Sequence, residues 1–192
     1  METLKVKGYN NFELSVSTWA NADDVKGAVL IIHGMQEHSK RYDNFAKYLN
    51  KNGFVVWASD LRGHGRTAKD IQSLGHTNTD IFKEIVNDQI ILGKMLKDEY
   101  KAPLIILGHS FGSFITQRII QISDISDIIV LSGSAYSNSM LFKLGNVVAQ
   151  LSAAFGGNHK KAKLVESLSF GSYRKKFEGG NWLSRDEKVW KE

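Results

Sequence analysis

Between Pro103 and Thr116 the chain reads PLIILGHSFGSFIT: an apolar run, then Gly108, Ser110 and Gly112 in the spacing G-x-S-x-G, then a segment with helical periodicity. A strand that becomes a helix within two residues must turn sharply. Such a turn holds its serine in a strained backbone conformation with the hydroxyl exposed. It also needs small residues two places before and two places after, so that neighbouring backbones can approach, and Gly108 and Gly112 supply that room. A bare G-x-S-x-G also occurs in ordinary glycine-rich strand-to-helix turns. Its position directly behind a buried strand marks Ser110 as a candidate nucleophile, with His109 in the motif's variable position.

The same alternation of apolar runs and helical stripes extends over the first 135 residues. Glu13 to Thr18 alternates like a half-exposed strand, and Gly27 to His33 (GAVLIIH) is a continuous apolar run of the kind buried in parallel sheets. Phe54 to Ser59, Pro103 to Leu107 and Asp127 to Ser132 repeat that signature. Between them Tyr42, Phe45, Ala46 and Leu49 recur at helical spacing, with Gly53 where a helix C-terminus would want it. A second helix is read from Ile81, Phe82, Ile85, Val86, Leu92 and Leu96, with Asp80 as N-cap. A third begins just after Ser110. The expected fold is α/β, a largely parallel sheet with helices on both faces. After Ser134 the character changes. Met140, Leu141, Leu144, Val147, Val148, Leu151 and Phe155 form one helical stripe, and the remainder to Glu192 is polar, basic and aromatic. Residues 1–134 are therefore expected to form the core, and residues 135–192 a helical cap.

Two further segments bear on chemistry. His33-Gly34-Met35 ends the strand Gly27 to His33, where an acyl-transfer site needs a backbone N–H aimed at a developing oxyanion. Met35 would supply one such donor, and Phe111, behind the nucleophile at the positive end of its helix, the other. His33 itself is expected to be structural. The segment DLRGHGRT (60–67) fits neither G-x-x-x-x-G-K-[ST] nor G-x-G-x-x-G, so it is not a phosphate loop. It is expected to end at the active edge of the sheet, with Arg62 and His64 in local polar networks.

Composition removes several alternatives. The chain has 192 residues and no cysteine, which excludes disulfides, thiolate metal sites and a cysteine nucleophile. The net charge of +5 invites a nucleic-acid reading. The tightest basic groups, however, are Lys160, Lys161 and Lys163, then Arg174, Lys175 and Lys176, and neither group lies in a nucleic-acid motif. They are read as solvated surface, with at most peripheral attraction to anionic membranes. Apolar runs are far too short to span a bilayer, and no signal-peptide pattern opens the chain, so the expected compartment is the cytoplasm. No cofactor or metal is expected.

HGMQEHSKRYDNFAKYL (33–49), DLRGHGRT (60–67) and LGHSFGSFI (107–115) together resemble the monoacylglycerol lipase and lysophospholipase group of α/β-hydrolases, of the serine aminopeptidase S33 type, in its bacterial form. LSFGSYRKKF and NWLSRDEKVW look like that group's cap. The resemblance implies a cofactor-independent serine hydrolase of carboxylic esters, with a cap over the acyl pocket. One departure is Gln36, where the family commonly has a small residue.

The acid and histidine of this catalytic design follow the serine in the chain. Downstream of Ser110 the only histidine is His159, in the cap stretch, and the acids before it are Asp124 and Asp127. His38, His64, His76 and His109 precede or adjoin the nucleophile and would need another order. The triad acid and base are therefore expected outside this sequence, and the last strands of the sheet with them. A sheet cut short exposes an edge, so a complementing C-terminal segment or self-association is expected. Two functions from different classes follow: a hydrolase acting on a small acyl ester, or a non-catalytic acyl-binding fragment whose serine is not activated.

Overall fold

The structure, a computed structural model, describes residues 1–22, 24–75 and 79–135. The stripe from Met140 to Phe155, the basic clusters, His76 and His159 lie outside the described residues. The described elements run β1 (Glu2–Lys7), β2 (Glu13–Trp19), β3 (Gly27–Ile32), α1 (Asp43–Lys51), β4 (Phe54–Ser59), α2 (Ile81–Tyr100), β5 (Leu104–His109), α3 (Phe111–Ile122) and β6 (Ile128–Ser132), with short 3-10 turns between some of them.

The apolar runs become the strands, and the helical stripes the helices, for the expected reasons. Asp80 caps α2 by accepting from the Lys83 N–H at 3.1 Å. Gly53 follows α1 at φ +90°, a conformation that favours glycine. Strand β1 was not legible from the sequence. Of ETLKVK only Val6 is buried, so the strand lies at the rim of the sheet with no apolar alternation to announce it. Strand β5 runs on through Gly108 and His109, which pair with Leu131 and Ser132 of β6. Glycine's poor strand propensity hides that extension in the sequence. Pro103 stands just before β5, and its carbonyl accepts from the Ala28 N–H at 2.9 Å.

The six strands lie in the order β1-β2-β4-β3-β5-β6. β1, β2 and β4 pair antiparallel, whereas β4, β3, β5 and β6 run parallel. Alternate residues of β3 face opposite layers. Ala28, Leu30 and Ile32 join the cluster containing Ile85, Leu92 and Leu96 of α2 and Ile115 and Ile119 of α3. Val29 and Ile31 join Ala46 of α1, with Trp19, Val56 and Ala58. Burying a Val, Leu or Ile side chain contributes about 1.5–3 kcal/mol, so both faces of β3 are held by apolar contact in addition to its ladders with β4 and β5.

The topology also locates a site. From β3 the chain passes through α1 to β4 on one side, then returns through α2 to β5 on the other side of β3. Successive connections thus leave a crevice at the C-terminal ends of β3 and β5, the switch point where open α/β sheets bind ligands. Ile32 and Gly108 are register partners at that end.

Candidate active site

Ser110 stands at the C-terminal end of β5 with φ 50° and ψ −114°. For a residue with a side chain this backbone costs on the order of 1–3 kcal/mol, so its surroundings must enforce it. The Ser110 N–H donates to the Ser132 carbonyl at 2.8 Å, and the Ser110 carbonyl accepts from the Ser113 N–H at 2.9 Å and from Ser113 Oγ at 2.6 Å. Both backbone groups are thereby tied to β6 and to the first turn of α3, while the residue itself is exposed. The two glycines allow this closeness. A Cβ on Gly112 would fall on the Ile32 carbonyl oxygen, and one on Gly108 would fall on Thr116 Oγ1 and the Gly112 carbonyl.

Close approach of α3 to β3 places the segment after β3 beside the serine. A Cβ built on Gly34 would lie 3.2 Å from Ser110 Cβ. Phe111 opens α3, and the first N–H of a helix has no partner within it. Met35, the residue after Gly34, is 47% exposed. Gln36 takes φ 60°, in the left-handed region that favours glycine. Among the described residues no side chain hydrogen-bonds Ser110 Oγ. His109 turns its Nδ1 to Ser132 Oγ at 3.2 Å.

His33 is fully buried. Its Nε2 accepts from the Leu61 N–H at 3.0 Å, so the ring proton sits on Nδ1, which donates to the Gly34 carbonyl at 2.7 Å. Burial pushes its pKa down to about 4, against the hydrogen bond to Gly34. The ring is therefore neutral near pH 7 and braces the end of β3 against the segment after β4. The denatured chain takes up this proton near the ordinary value of about 6.5, the folded one only near 4. Unfolding thus binds a proton between those values. The contribution of His33 is complete above about pH 6.5 and is lost as pH falls toward 4. In urea titrations between about pH 4.5 and 7.5, wild type is expected to lose its stability advantage over His33→Gln by up to about 1.4 kcal/mol per pH unit. Parallel pH profiles for the two proteins would contradict this role.

The segment after β4 carries two buried charge networks. Asp60 accepts from the Ser39 N–H at 2.8 Å, Ser39 Oγ at 2.6 Å, the Arg66 N–H at 2.8 Å and Arg66 Nε at 3.0 Å. Burial alone would raise its pKa, but the bonds from Ser39 and Arg66 together hold the carboxyl below the usual range. Arg62 donates through Nε and Nη2 to Asp88 at 2.7 and 2.9 Å, through Nη1 to Glu84 at 2.8 Å and through Nη2 to the Tyr9 carbonyl at 2.7 Å. His64 lies edge-on to His33 with ring centroids 5.2 Å apart, and its Nδ1 is 3.0 Å from the Arg62 carbonyl oxygen. Both residues thus sit in local polar networks, as the sequence suggests.

Asp127 is not at the serine. Its carboxylate accepts from the Leu104 N–H at 2.7 Å and pairs with Lys97 at 2.9 Å, at the start of β5 and β6. Strand rise puts it roughly 16 Å from Ser132, the partner of His109. Among the described residues no group of three or more histidines or carboxylates is gathered to hold a metal ion. No helix among them is long and apolar enough to cross a membrane.

Sequence reasoning missed Glu37, Arg41 and Tyr42 as parts of this region, and Ser113 and Ser132 as anchors of the turn. The available signal was a carboxylate three residues after Gly34, with an arginine four residues beyond it.

Comparison with known proteins bears on the same residues. The family model described as serine aminopeptidase, S33, matches residues 23–192. A monoacylglycerol lipase of Mycolicibacterium smegmatis is 31% identical over 105 residues, which are 55% of this chain and 36% of that protein. The human monoglyceride lipase is 31% identical over 98 residues, 50% of this chain and 31% of the relative. Among solved structures, a thermostable carboxyl esterase from Bacillus coagulans superposes with a TM-score of 0.82 at 25% identity, covering 99% of this chain and 63% of the other. A soluble variant of the Saccharomyces cerevisiae monoglyceride lipase, in complex with a substrate analog, gives 0.63 at 26% identity, over 80% of this chain and 52% of that one. The chain spans less than two thirds of each of these proteins.

Proposed function

The chain belongs to the serine aminopeptidase S33 family of α/β-hydrolases, and on that premise we propose that it hydrolyses carboxylic esters of the acylglycerol or lysophospholipid type through an acyl-serine intermediate on Ser110. The carrying observation is the geometry of Ser110, an exposed serine on a strained turn at the switch point of the sheet, beside Gly34 and at the N-terminus of α3.

In this reading Ser110 Oγ attacks the acyl carbon, and the carbonyl π pair moves onto the oxygen. The N–H groups of Met35 and Phe111 stabilise that oxyanion, each worth about 2.7–4 kcal/mol in comparable sites. Collapse expels the alcohol, which takes the proton that a general base removed from the serine. Water then cleaves the acyl-serine by the same steps, releasing the carboxylic acid. In this reading the base and its acid partner are supplied from outside the described residues, none of which hydrogen-bonds Ser110 Oγ. The substrate class rests on the relatives, whose names refer to acylglycerols. The partner is a small acyl ester, not nucleic acid, with membrane contact at most peripheral.

The test is covalent labelling. A fluorophosphonate probe is expected to modify wild type stoichiometrically at Ser110, located by peptide mass spectrometry, and to leave Ser110→Ala unmodified. A series of p-nitrophenyl esters then reads chain-length preference. The competing reading is an acyl-binding protein whose serine is not activated. Wild-type labelling no faster than that of Ser110→Ala would overturn the hydrolase reading for this chain.

A further inference from the structure

Glu37 is 9% exposed and has no role in the chemistry above. Its Oε1 accepts from the Gly34 N–H and from Tyr42 Oη, the latter at 3.0 Å. Its Oε2 faces Arg41 Nη1 at 3.1 Å. The left-handed backbone at Gln36 folds the chain so that residue 37 returns to residue 34. The turn from Gly34 to Glu37 is therefore closed by a carboxylate on a backbone amide, a charge-assisted bond about twice as strong as a neutral one. Met35 and Gln36, between the two ends of this turn, are exposed. Gly34 abuts Ser110 and directly precedes the proposed oxyanion donor.

We propose that Glu37 is a positioning residue: its carboxylate holds the Gly34 amide, Tyr42 and Arg41 hold the carboxylate, and Met35 N–H is thereby kept aimed at the acyl oxygen above Ser110. This inference rests on the ester-hydrolase reading. Oxyanion donors act over a few tenths of an ångström, so a loop free to shift by about 1 Å loses on the order of 100-fold in rate. Loss of positioning slows the chemical step and leaves prior association unchanged.

The test compares wild type, Glu37→Ala, Glu37→Gln and Tyr42→Phe, each checked for folding by thermal melting. The readouts are fluorophosphonate inactivation, resolved into kinact and KI, and exchange of the Gly34 amide by NMR. Glu37→Ala is expected to lower kinact by about 10–100-fold with KI within about twofold, and to speed Gly34 exchange. Glu37→Gln keeps an acceptor for Gly34 and Tyr42 while giving up the charge facing Arg41. It is expected to recover kinact to within about fivefold of wild type, which a purely structural ion pair would not do. Tyr42→Phe is expected to show a smaller loss, about 3–10-fold, and serves if Glu37→Ala does not fold. Unchanged kinact in Glu37→Ala, or Glu37→Gln as slow as Glu37→Ala, overturns the proposal. If wild type itself shows no Ser110-dependent labelling, the hydrolase reading fails separately. Gly34 exchange then decides: acceleration in Glu37→Ala but not in Glu37→Gln supports the clamp, and equal exchange in all variants overturns it.

Discussion

Gly112→Val is expected to destabilise the protein by roughly 3–5 kcal/mol and to abolish fluorophosphonate labelling of whatever fraction remains folded. Even a Cβ at this position would lie 2.0 Å from the Ile32 carbonyl oxygen, and backbone cannot rotate aside as a flexible side chain can. Relief requires α3 to lift from β3. That motion breaks the packing of Ile115 and Ile119 on Leu30 and Ile32, and carries Phe111 and Ser110 away from Gly34. Stability and reactivity fall together because one contact serves both. Chemical denaturation gives the first quantity and probe incorporation the second. A variant with near-native stability would show that α3 does not approach β3 as closely as described.

Arg62→Met is expected to cost about 3–5 kcal/mol, the usual penalty for removing one partner of a buried pair. The Asp88 side chain is 1% exposed and that of Glu84 is 13% exposed, and the guanidinium is the cation facing both. Its loss also leaves the Tyr9 carbonyl without that donor and removes the cation 4.2 Å above the Phe12 ring. Burial already holds Asp88 above the usual carboxylate range, while Arg62 opposes that rise. Without Arg62 the folded-state pKa rises further. A carboxyl raised in the folded state is least costly below its unfolded value of about 4 and becomes more costly as pH rises. The Arg62→Met penalty measured by urea titration should therefore shrink on acidification. A second substitution, Asp88→Leu, should recover part of the loss at neutral pH. A penalty that does not depend on pH would place the cost in packing and not in the stranded carboxylate.

Several parts of this protein are legible without coordinates because each depends on neighbours in the chain. The run GAVLII has no polar position to expose and the length of a buried strand, and it is β3. The G-x-S-x-G between a strand and a helix signals the sharp turn at Ser110 from a short stretch of sequence, although contacts with β3 and β6 hold its strained backbone. The Asp80 cap and the stripe of α2 are equally local. Strand β1 was not legible because its residues are mostly exposed and its existence depends on pairing with β2.

The tertiary structure decided the rest. That Gly34 lies beside Ser110 follows from β3 and β5 being register neighbours, although 76 residues separate the two in the chain. Asp127 looks available as an acid in the sequence, yet the parallel register sends it to the far end of the sheet. Tyr42 reads in the sequence only as the first position of a helical stripe, and Glu37 and Arg41 only as parts of a motif, until the carboxylate is seen turned inward onto the Gly34 amide. Backbone preference and hydrophobic period act over a few residues, and they determined the interior strands, the helices and the place of the turn at Ser110. Which polar groups face that turn depends on strand order and on the packing of α3 against β3, and those are set by contacts between residues far apart in the chain.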